Sequence, residues 1–362
     1  MKAPGREIQK LKIAVTSDCC LACRHCFIDK GRGEVIKEAH AREAVDLLLE
    51  SPGSEKKLEL YGGEALLKLP LLEKITDYAR ARARRLGKTL AVWLASSGVA
   101  IGRKELAFIK SRGIILSVSL YGSERSHDFV RRFPGGGGTF AALKRRLPAI
   151  FSELDPFKVT ALLCVHPRFA GETLADFKGI AGLGFRVINI ECVHGAPWSR
   201  AALSKFSSEL EGVAAWIRRS AAAGRHVLLE PLLGLAWRSP APAADCPFRQ
   251  DLEIFPDGTY SLYPYGFVDM KKYGDIVAVG RAGKGFYGRF AACRPGGAAC
   301  AGCVKDYYRI PGMGGGARAY ALRSAAAEKF FRELLSSESK ISRDYLRLAA
   351  RLSLAYRGLA AR

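Results

Sequence analysis

Residues 17–30 read SDCCLACRHCFIDK, and four of the chain's ten cysteines fall within eight of those positions. Cys19, Cys23 and Cys26 make a CxxxCxxC pattern with aromatic Phe27 directly after it. Thiolates are the ligands that iron–sulfur clusters use. Three of them on one short loop can hold one face of a four-iron cubane, leaving one iron without a protein ligand. An open metal position is the mark of a catalytic centre rather than a structural one. Taken alone, the loop also fits a zinc knuckle completed by His25 or by a remote fourth ligand. Cys20 falls outside the spacing and reads as a packed bystander.

The loop follows a strand. KLKIAVT (10–16) reads as a strand, and further strands are predicted at KLELYGG (57–63), TLAVWLASS, IILSVSLYG, FKVTALLCVH and FRVINIECVH. Helical patterns such as LLEKITDYARARARRLG lie between them, closed by glycine where a helix C-terminus is expected. Repeated βα units predict an α/β fold with a parallel sheet and outer helices. Ligands on such sheets bind at the C-terminal ends of the strands. The cysteine loop ends strand one and Gly62-Gly63-Glu64 ends strand two, so both motifs fall on one rim. Two glycines allow close backbone approach to a ligand, and the Glu64 carboxylate suits a cationic amine. Taken alone, GGE also fits an ordinary strand-end turn. Cys164 and Cys192, within predicted strands, read as buried apolar side chains.

Together these features resemble the radical S-adenosylmethionine (radical SAM) superfamily. The resemblance rests on the cysteine spacing, Phe27 after the third cysteine, and GGE after strand two, with Ala65 where the family usually has proline. It implies a partial (β/α)6 TIM barrel. It also implies a [4Fe–4S] cluster on Cys19, Cys23 and Cys26, whose open iron is chelated by S-adenosyl-L-methionine (SAM). Reductive cleavage of SAM would then give a 5′-deoxyadenosyl radical that abstracts hydrogen from a substrate. ASSG (95–98) resembles the family's segment after strand three and points to Ser97. SLYGSERSHDFVRR with GGGGTF resembles the run of the subgroup carrying a C-terminal SPASM or twitch domain. Ser119 and Arg131 fall at its SAM-contacting places, so the implied cofactor-binding set is Phe27, Gly62, Gly63, Glu64, Ser97, Ser119 and Arg131. His127 and Asp128 match the subgroup's His-Asp pair, for which a contact with SAM and a role in capping and orienting the next helix are the two readings. Tyr121 stands where the subgroup has Asp.

A Pro/Ala-rich break at 238–245 separates a barrel domain (1–237) from a smaller segment (245–319) and a basic helical tail (320–362). Asp257-Gly258 is a hairpin signal. Cys246, Gly258 and the Cys300–Cys303 pair resemble a reduced SPASM or twitch domain, with Tyr263 in place of one cysteine. Cys246, Cys293, Cys300 and Cys303 suffice for one auxiliary iron–sulfur cluster; zinc or no metal are the alternatives. The glycine runs at 135–138 and 314–316 lack the Gly-Lys-Ser/Thr of a phosphate loop and read as turns. From Arg318 onward the chain carries ten Lys or Arg against four Asp or Glu. Arg343, Arg347 and Arg351 share a face opposite Ile341, Tyr345, Leu348 and Leu352.

The net charge of +22 favours an anionic partner or reflects a general arginine bias. The resemblance favours a peptide or protein side chain as substrate, with an acidic segment docked near the barrel mouth or the C-terminal helices. A sugar or aminocyclitol dehydrogenase or epimerase is the alternative, and a non-catalytic SAM- or metal-binding protein is the third reading. A reductant protein such as flavodoxin or ferredoxin is implied; nucleic acid is not. With no apolar leader in MKAPGREIQK and no long apolar run, a cytoplasmic protein without membrane contact is expected.

Overall fold

In β1 (Lys10–Ala14) and β2 (Glu55–Tyr61), charged and apolar residues alternate. Leu11, Ile13, Leu58 and Leu60 are fully buried on one face, toward the helices. Lys10, Lys12, Lys57 and Glu59 take the other face and line a cavity. Side chains of a strand point alternately to its two faces, so this pattern fixes which face becomes the core and which a polar lumen.

The computed structural model describes residues 8–28, 30, 33–231, 251–262, 278–287 and 313–357. Next to β1 and β2 lie β3 (Thr89–Ser96), β4 (Ile115–Ser119), β5 (Val159–Val165), β6 (Val187–Cys192) and β7 (Leu228–Leu229), in chain order and all parallel. Helices α1 (Glu38–Glu50), α2 (Leu69–Arg85), α3 (Arg103–Ser111), α4 (Glu124–Val130), α5 (Phe140–Glu153), α6 (Thr173–Gly182) and α7 (Arg200–Ala222) connect them. Helix α2 shows how. Pro70 sits in its first turn, and Leu72, Ile75, Ala79 and Ala83 form its buried stripe. Gly87, at φ +63°, lets the chain leave it. Each large aliphatic side chain buried in this way contributes about 1.5–3 kcal/mol.

The Asp257-Gly258 turn joins β8 (Asp251–Ile254) to β9 (Thr259–Leu262) as an antiparallel hairpin, with Gly258 at φ +86°. Strand β8 pairs in parallel with β1, opposite Lys10 and Lys12, so the hairpin extends the barrel sheet beyond β1. Strands β10 (Ala278–Arg281) and β11 (Gly285–Phe286) continue that edge. The lumen is lined by residues of β1 to β6 together, so the sheet curls around it as a partial barrel does.

The expected helical tail is two helices, α8 (Met313–Leu335) and α9 (Lys340–Tyr356). The glycine run at 314–316, expected to be a turn, is the first turn of α8. A Cβ on Gly315 would sit 3.1 Å from Trp198, and one on Gly316 3.0 Å from His194, so glycine permits close packing there. In α8, Arg323 donates to the Ile190 carbonyl at 3.2 Å. In α9, the Tyr345 hydroxyl donates to the Val227 carbonyl at 3.1 Å and the Tyr356 hydroxyl donates to the Phe157 carbonyl, and just after the helix Arg357 pairs with Glu55. Those partners all precede or begin strands. Helix α9 therefore covers the end of the barrel opposite the cysteine loop, with Arg343, Arg347 and Arg351 exposed. That placement sets the arginine row apart from the barrel mouth, so the two docking places expected, the mouth and the C-terminal helices, are separate surfaces. Among the described residues, no helix is long and apolar enough to cross a membrane. Cys246, Tyr263, Cys293, Cys300 and Cys303, and the break at 238–245, lie outside the described residues.

Candidate active site

The two rim motifs are built against each other. The Gly63 amide donates to the Thr16 carbonyl at 2.7 Å, and the Glu64 amide donates to the Asp18 carbonyl at 2.8 Å. A Cβ on Gly62, which has φ +145°, would lie 2.5 Å from the Thr16 oxygen; one on Gly63 would lie 2.1 Å from the Asp18 oxygen. The glycine pair is thus required by contact with the cysteine loop itself, where the sequence suggested contact with a ligand.

This pairing opens the loop onto a cavity of about 490 Å³ at the C-terminal ends of the strands. Cys19, Cys23, Cys26 and Phe27 line it, and Cys20 does not. The Leu21 amide donates to Cys19 Sγ at 3.3 Å. Gly62, Gly63, Ser97, Ser119 and Arg131 complete the same rim. Arg131 is only 8% exposed, and no group hydrogen-bonds to its Nε. Its charge lies near the Cys23 and Cys26 thiols. A buried guanidinium with an unsatisfied Nε among the described residues suits a site for an anion.

No three His, Cys, Asp or Glu side chains among the described residues converge on one ion position. A single zinc would need such a cage. A cubane carries three thiolates on three separate irons and does not. The donor set, with three loop thiols lining one cavity and Cys20 held against Cys19 and Ser97, fits a cluster.

No family model matches the chain. A serine-type anaerobic sulfatase-maturating enzyme of Klebsiella aerogenes is 25% identical over 183 residues, 48% of this chain and 44% of that protein. An uncharacterized protein of Methanocaldococcus jannaschii is 26% identical over 156 residues, 43% of this chain and 53% of that protein. The matches span about half the length of these curated relatives. Among solved structures, native anSMEcpe with bound AdoMet has a TM-score of 0.65 at 16% identity, covering 90% of this chain and 98% of that one. Native anSMEcpe with bound AdoMet and Cp18Cys peptide has a TM-score of 0.60 at 16% identity, covering 96% of each chain. The chain shares the fold of these AdoMet-bound structures over most of its length.

Within this fold, Glu64 occupies a different place from the one its motif suggested. It is 1% exposed and does not line the cavity. Its Oε2 accepts from the Ser97 amide at 2.9 Å and the Ser97 hydroxyl at 2.6 Å. Burial raises its pKa, and the Ser97 hydrogen bonds offset part of that rise. Glu64 therefore clamps the end of β2 to the end of β3 and presents Ser97 to the cavity.

His127 and Asp128 are structural. Asp128 Oδ1 accepts the amides of Thr139 at 2.7 Å and Phe140 at 2.8 Å, which begin α5. His127 pairs with Thr139 Oγ1 at 3.0 Å, and burial lowers its pKa to about 3. Tyr121 is fully buried and its hydroxyl donates to the Cys164 carbonyl.

The lumen holds residues that motif reading passed over. Lys12 pairs with Glu59 at 3.6 Å, and the Lys57 ammonium lies 3.6 Å from the Trp93 ring centre. Burial alone would raise Glu59, but Lys12, Lys57 and Lys10 hold it down to about 2. The Tyr61 hydroxyl donates to Glu253 Oε1, and burial raises the pKa of both. Arg323 of α8 reaches Glu191 at 3.5 Å. Cys164, expected among buried apolar residues, instead faces the lumen from the end of β5, and Cys192 borders it. Burial pushes the Cys164 thiol up to about 11. The signal for this polar lumen was the alternation of charge inside KLKIA and EKKLELY.

Proposed function

We propose that the chain is a radical SAM enzyme that abstracts hydrogen from a peptide or protein side chain. One arrangement supports the reading most strongly: three loop thiols line the same cavity as a buried guanidinium whose Nε has no hydrogen bond among the described residues. Cys19, Cys23 and Cys26 would hold a [4Fe–4S] cluster, and Arg131, Ser119, Ser97 and the Gly62-Gly63 backbone would hold SAM. When bound, this pair supplies one-electron cleavage of SAM and a hydrogen-abstracting radical. The chain's own work is placement. Arg131 offers a fixed charge for the ligand's carboxylate. Ser97, oriented by Glu64, offers a hydroxyl on the same cavity. The curled sheet, with α8 on its flank, limits water around the reacting atoms.

The peptide assignment is supported by the fold neighbour described with bound AdoMet and Cp18Cys peptide. It is also supported by the lumen, whose paired charges suit a polar side chain entering from the rim. The test is anaerobic reconstitution with iron and sulfide, followed by incubation with SAM and dithionite. Formation of 5′-deoxyadenosine by the wild-type chain is expected. Its absence from a protein that has taken up iron would sink the proposal. Transfer of deuterium from a labelled peptide into 5′-deoxyadenosine would identify the substrate class.

A further inference from the structure

Beside the mouth of the lumen, two guanidiniums rest on one aromatic ring. The Arg24 guanidinium carbon lies 4.4 Å from the centre of the Phe129 ring, and that of Arg168 lies 4.6 Å from it. Three rim segments build the arrangement. Arg24 belongs to the cysteine loop, and its amide donates to the Val130 carbonyl at 2.9 Å. Phe129 stands in the last turn of α4, and Arg168 follows β5. Phe169 and His166 meet the Phe129 ring edge to face, at 5.3 Å and 6.0 Å between ring centres. The ring therefore has a fixed place, and the guanidiniums stacked on it are fixed with it. Residues beside them in the chain turn inward, since His25 and Arg131 line the lumen. Arg24 and Arg168 are exposed, and neither forms an ion pair or a side-chain hydrogen bond among the described residues. The neighbouring Arg125, by contrast, is matched by Glu172. The two unmatched charges stand no more than about 9 Å apart, close to one screening length at physiological salt, so they repel each other. This surplus belongs to one ring on the rim and is separate from the overall charge of the chain.

We propose that Arg24 and Arg168, braced on Phe129, bind the carboxylate of an acidic side chain that flanks the modified position of the peptide substrate. The inference deepens the peptide reading above and rests on it. A guanidinium presents its donors in one plane; stacking fixes that plane and leaves its N–H edge open to a carboxylate. Bringing one anion between two like charges also relieves their repulsion. The lumen takes the side chain that reacts, and the patch holds the peptide a few residues away. Binding at that distance selects which residue enters the lumen and fixes its orientation there.

The test uses the full chain and two short peptides capped at both ends, one carrying a run of glutamates and one with glutamines in their place. Capping leaves side chains as the only source of carboxylate. Isothermal titration calorimetry compares wild type, Arg24→Gln with Arg168→Gln, and Phe129→Leu. A control, Arg343→Gln with Arg351→Gln, removes the same charge from α9 at the opposite end of the barrel. The wild-type chain is expected to bind the glutamate peptide more tightly than the glutamine peptide. The double change at Arg24 and Arg168 is expected to weaken that binding about tenfold or more, as loss of charge-assisted contacts predicts. Phe129→Leu keeps both charges but frees them, and is expected to weaken binding by a smaller factor. The control is expected to stay within about twofold of wild type, because its charges lie beyond the screening length. Equal weakening by the rim change and the control would overturn the proposal, since the overall charge would then account for binding. Equal wild-type affinity for the two peptides would also overturn it, as would full affinity in the rim variant. Arg24 lies between two proposed ligand cysteines, so Tm and iron uptake are followed in each variant. Should the double variant take up less iron, Arg168→Gln alone, outside the cysteine loop, decides by the same comparison. If the wild-type chain forms no 5′-deoxyadenosine with SAM and dithionite, the enzymatic reading fails, and the peptide comparison still decides whether the patch binds acidic side chains.

Discussion

Glu64 and Ser97 are joined twice, at 2.9 Å to the amide and 2.6 Å to the hydroxyl, and this pair fixes the spacing of two strand ends at the cavity rim. A carboxylate that looks like a ligand group in sequence is a positioning residue in the fold. Glu64→Ala should remove two charge-assisted bonds and lower stability by about 1.5–3 kcal/mol. SAM affinity should fall with it, because Ser97 loses its orientation. Glu64→Gln keeps one acceptor and should recover part of both. Chemical denaturation and equilibrium dialysis with SAM measure the two effects. Full SAM affinity in Glu64→Ala would show that Ser97 needs no clamp.

Arg131 should behave in the opposite sense. Its guanidinium is buried without a hydrogen bond at Nε, so the ligand-free chain carries its desolvation cost. Arg131→Met should leave the free protein as stable or more stable, with a Tm no lower than wild type. It should also weaken SAM binding by about tenfold or more, as loss of a charge-assisted contact predicts. A Met variant that binds SAM normally would remove Arg131 from the proposed site.

The rim was legible in the sequence because its motifs are short and local. Cysteine spacing and GGE each sit within one loop, and the alternation of βα units fixes where those loops fall. The lumen was less legible. Glu253 and Tyr61 meet only because β8 returns to pair with β1, a contact between residues far apart in sequence. Arg323 joins Glu191 only because α8 packs along β6. Cys164 was misread for a related reason. In a barrel, one face of each strand is interior without being apolar core, and composition alone does not say which face that is.

The Tyr61–Glu253 pair offers a test of that hidden layer. Glu253 is fully buried, and no group hydrogen-bonds to its Oε2. Tyr61→Phe leaves the whole carboxylate unsatisfied and should cost about 1–3 kcal/mol. Replacing both residues, Tyr61→Phe with Glu253→Leu, should cost less than the sum of the single changes. Additive losses in urea denaturation would mean that the two side chains do not act as a pair.

Acid should expose the other lumen carboxylate. Glu59 is held at about 2, below the ordinary value of 4.5, by the surrounding lysines. Its contribution to stability is complete above about pH 4.5 and disappears as pH falls toward 2. The amount is on the order of 2–3 kcal/mol. Glu59→Gln should therefore destabilise the chain at neutral pH, and its deficit relative to wild type should shrink on acidification through that window. A deficit that stays constant from pH 5 to pH 2.5 would show that Glu59 is not held by these charges.

The last expectation separates two cysteines that are neighbours in sequence. Cys19 faces the lumen and Cys20 borders a separate groove outside it, although their thiols lie side by side. Of the four loop cysteines, Cys19, Cys23 and Cys26 line the lumen, and the proposal gives the cluster to these three. Anaerobically reconstituted wild-type chain should be brown and bind about four irons at this site, the content of one cubane. Cys23→Ala should lose that iron and the associated visible absorbance, since two remaining thiolates are too few to hold it. Cys20→Ala should keep both, because its side chain is outside the donor set. Iron analysis and absorbance spectra on the two variants, prepared in parallel, decide the point. Equal iron loss in both would mean that Cys20 takes part in the site and that the loop closes on metal in another register.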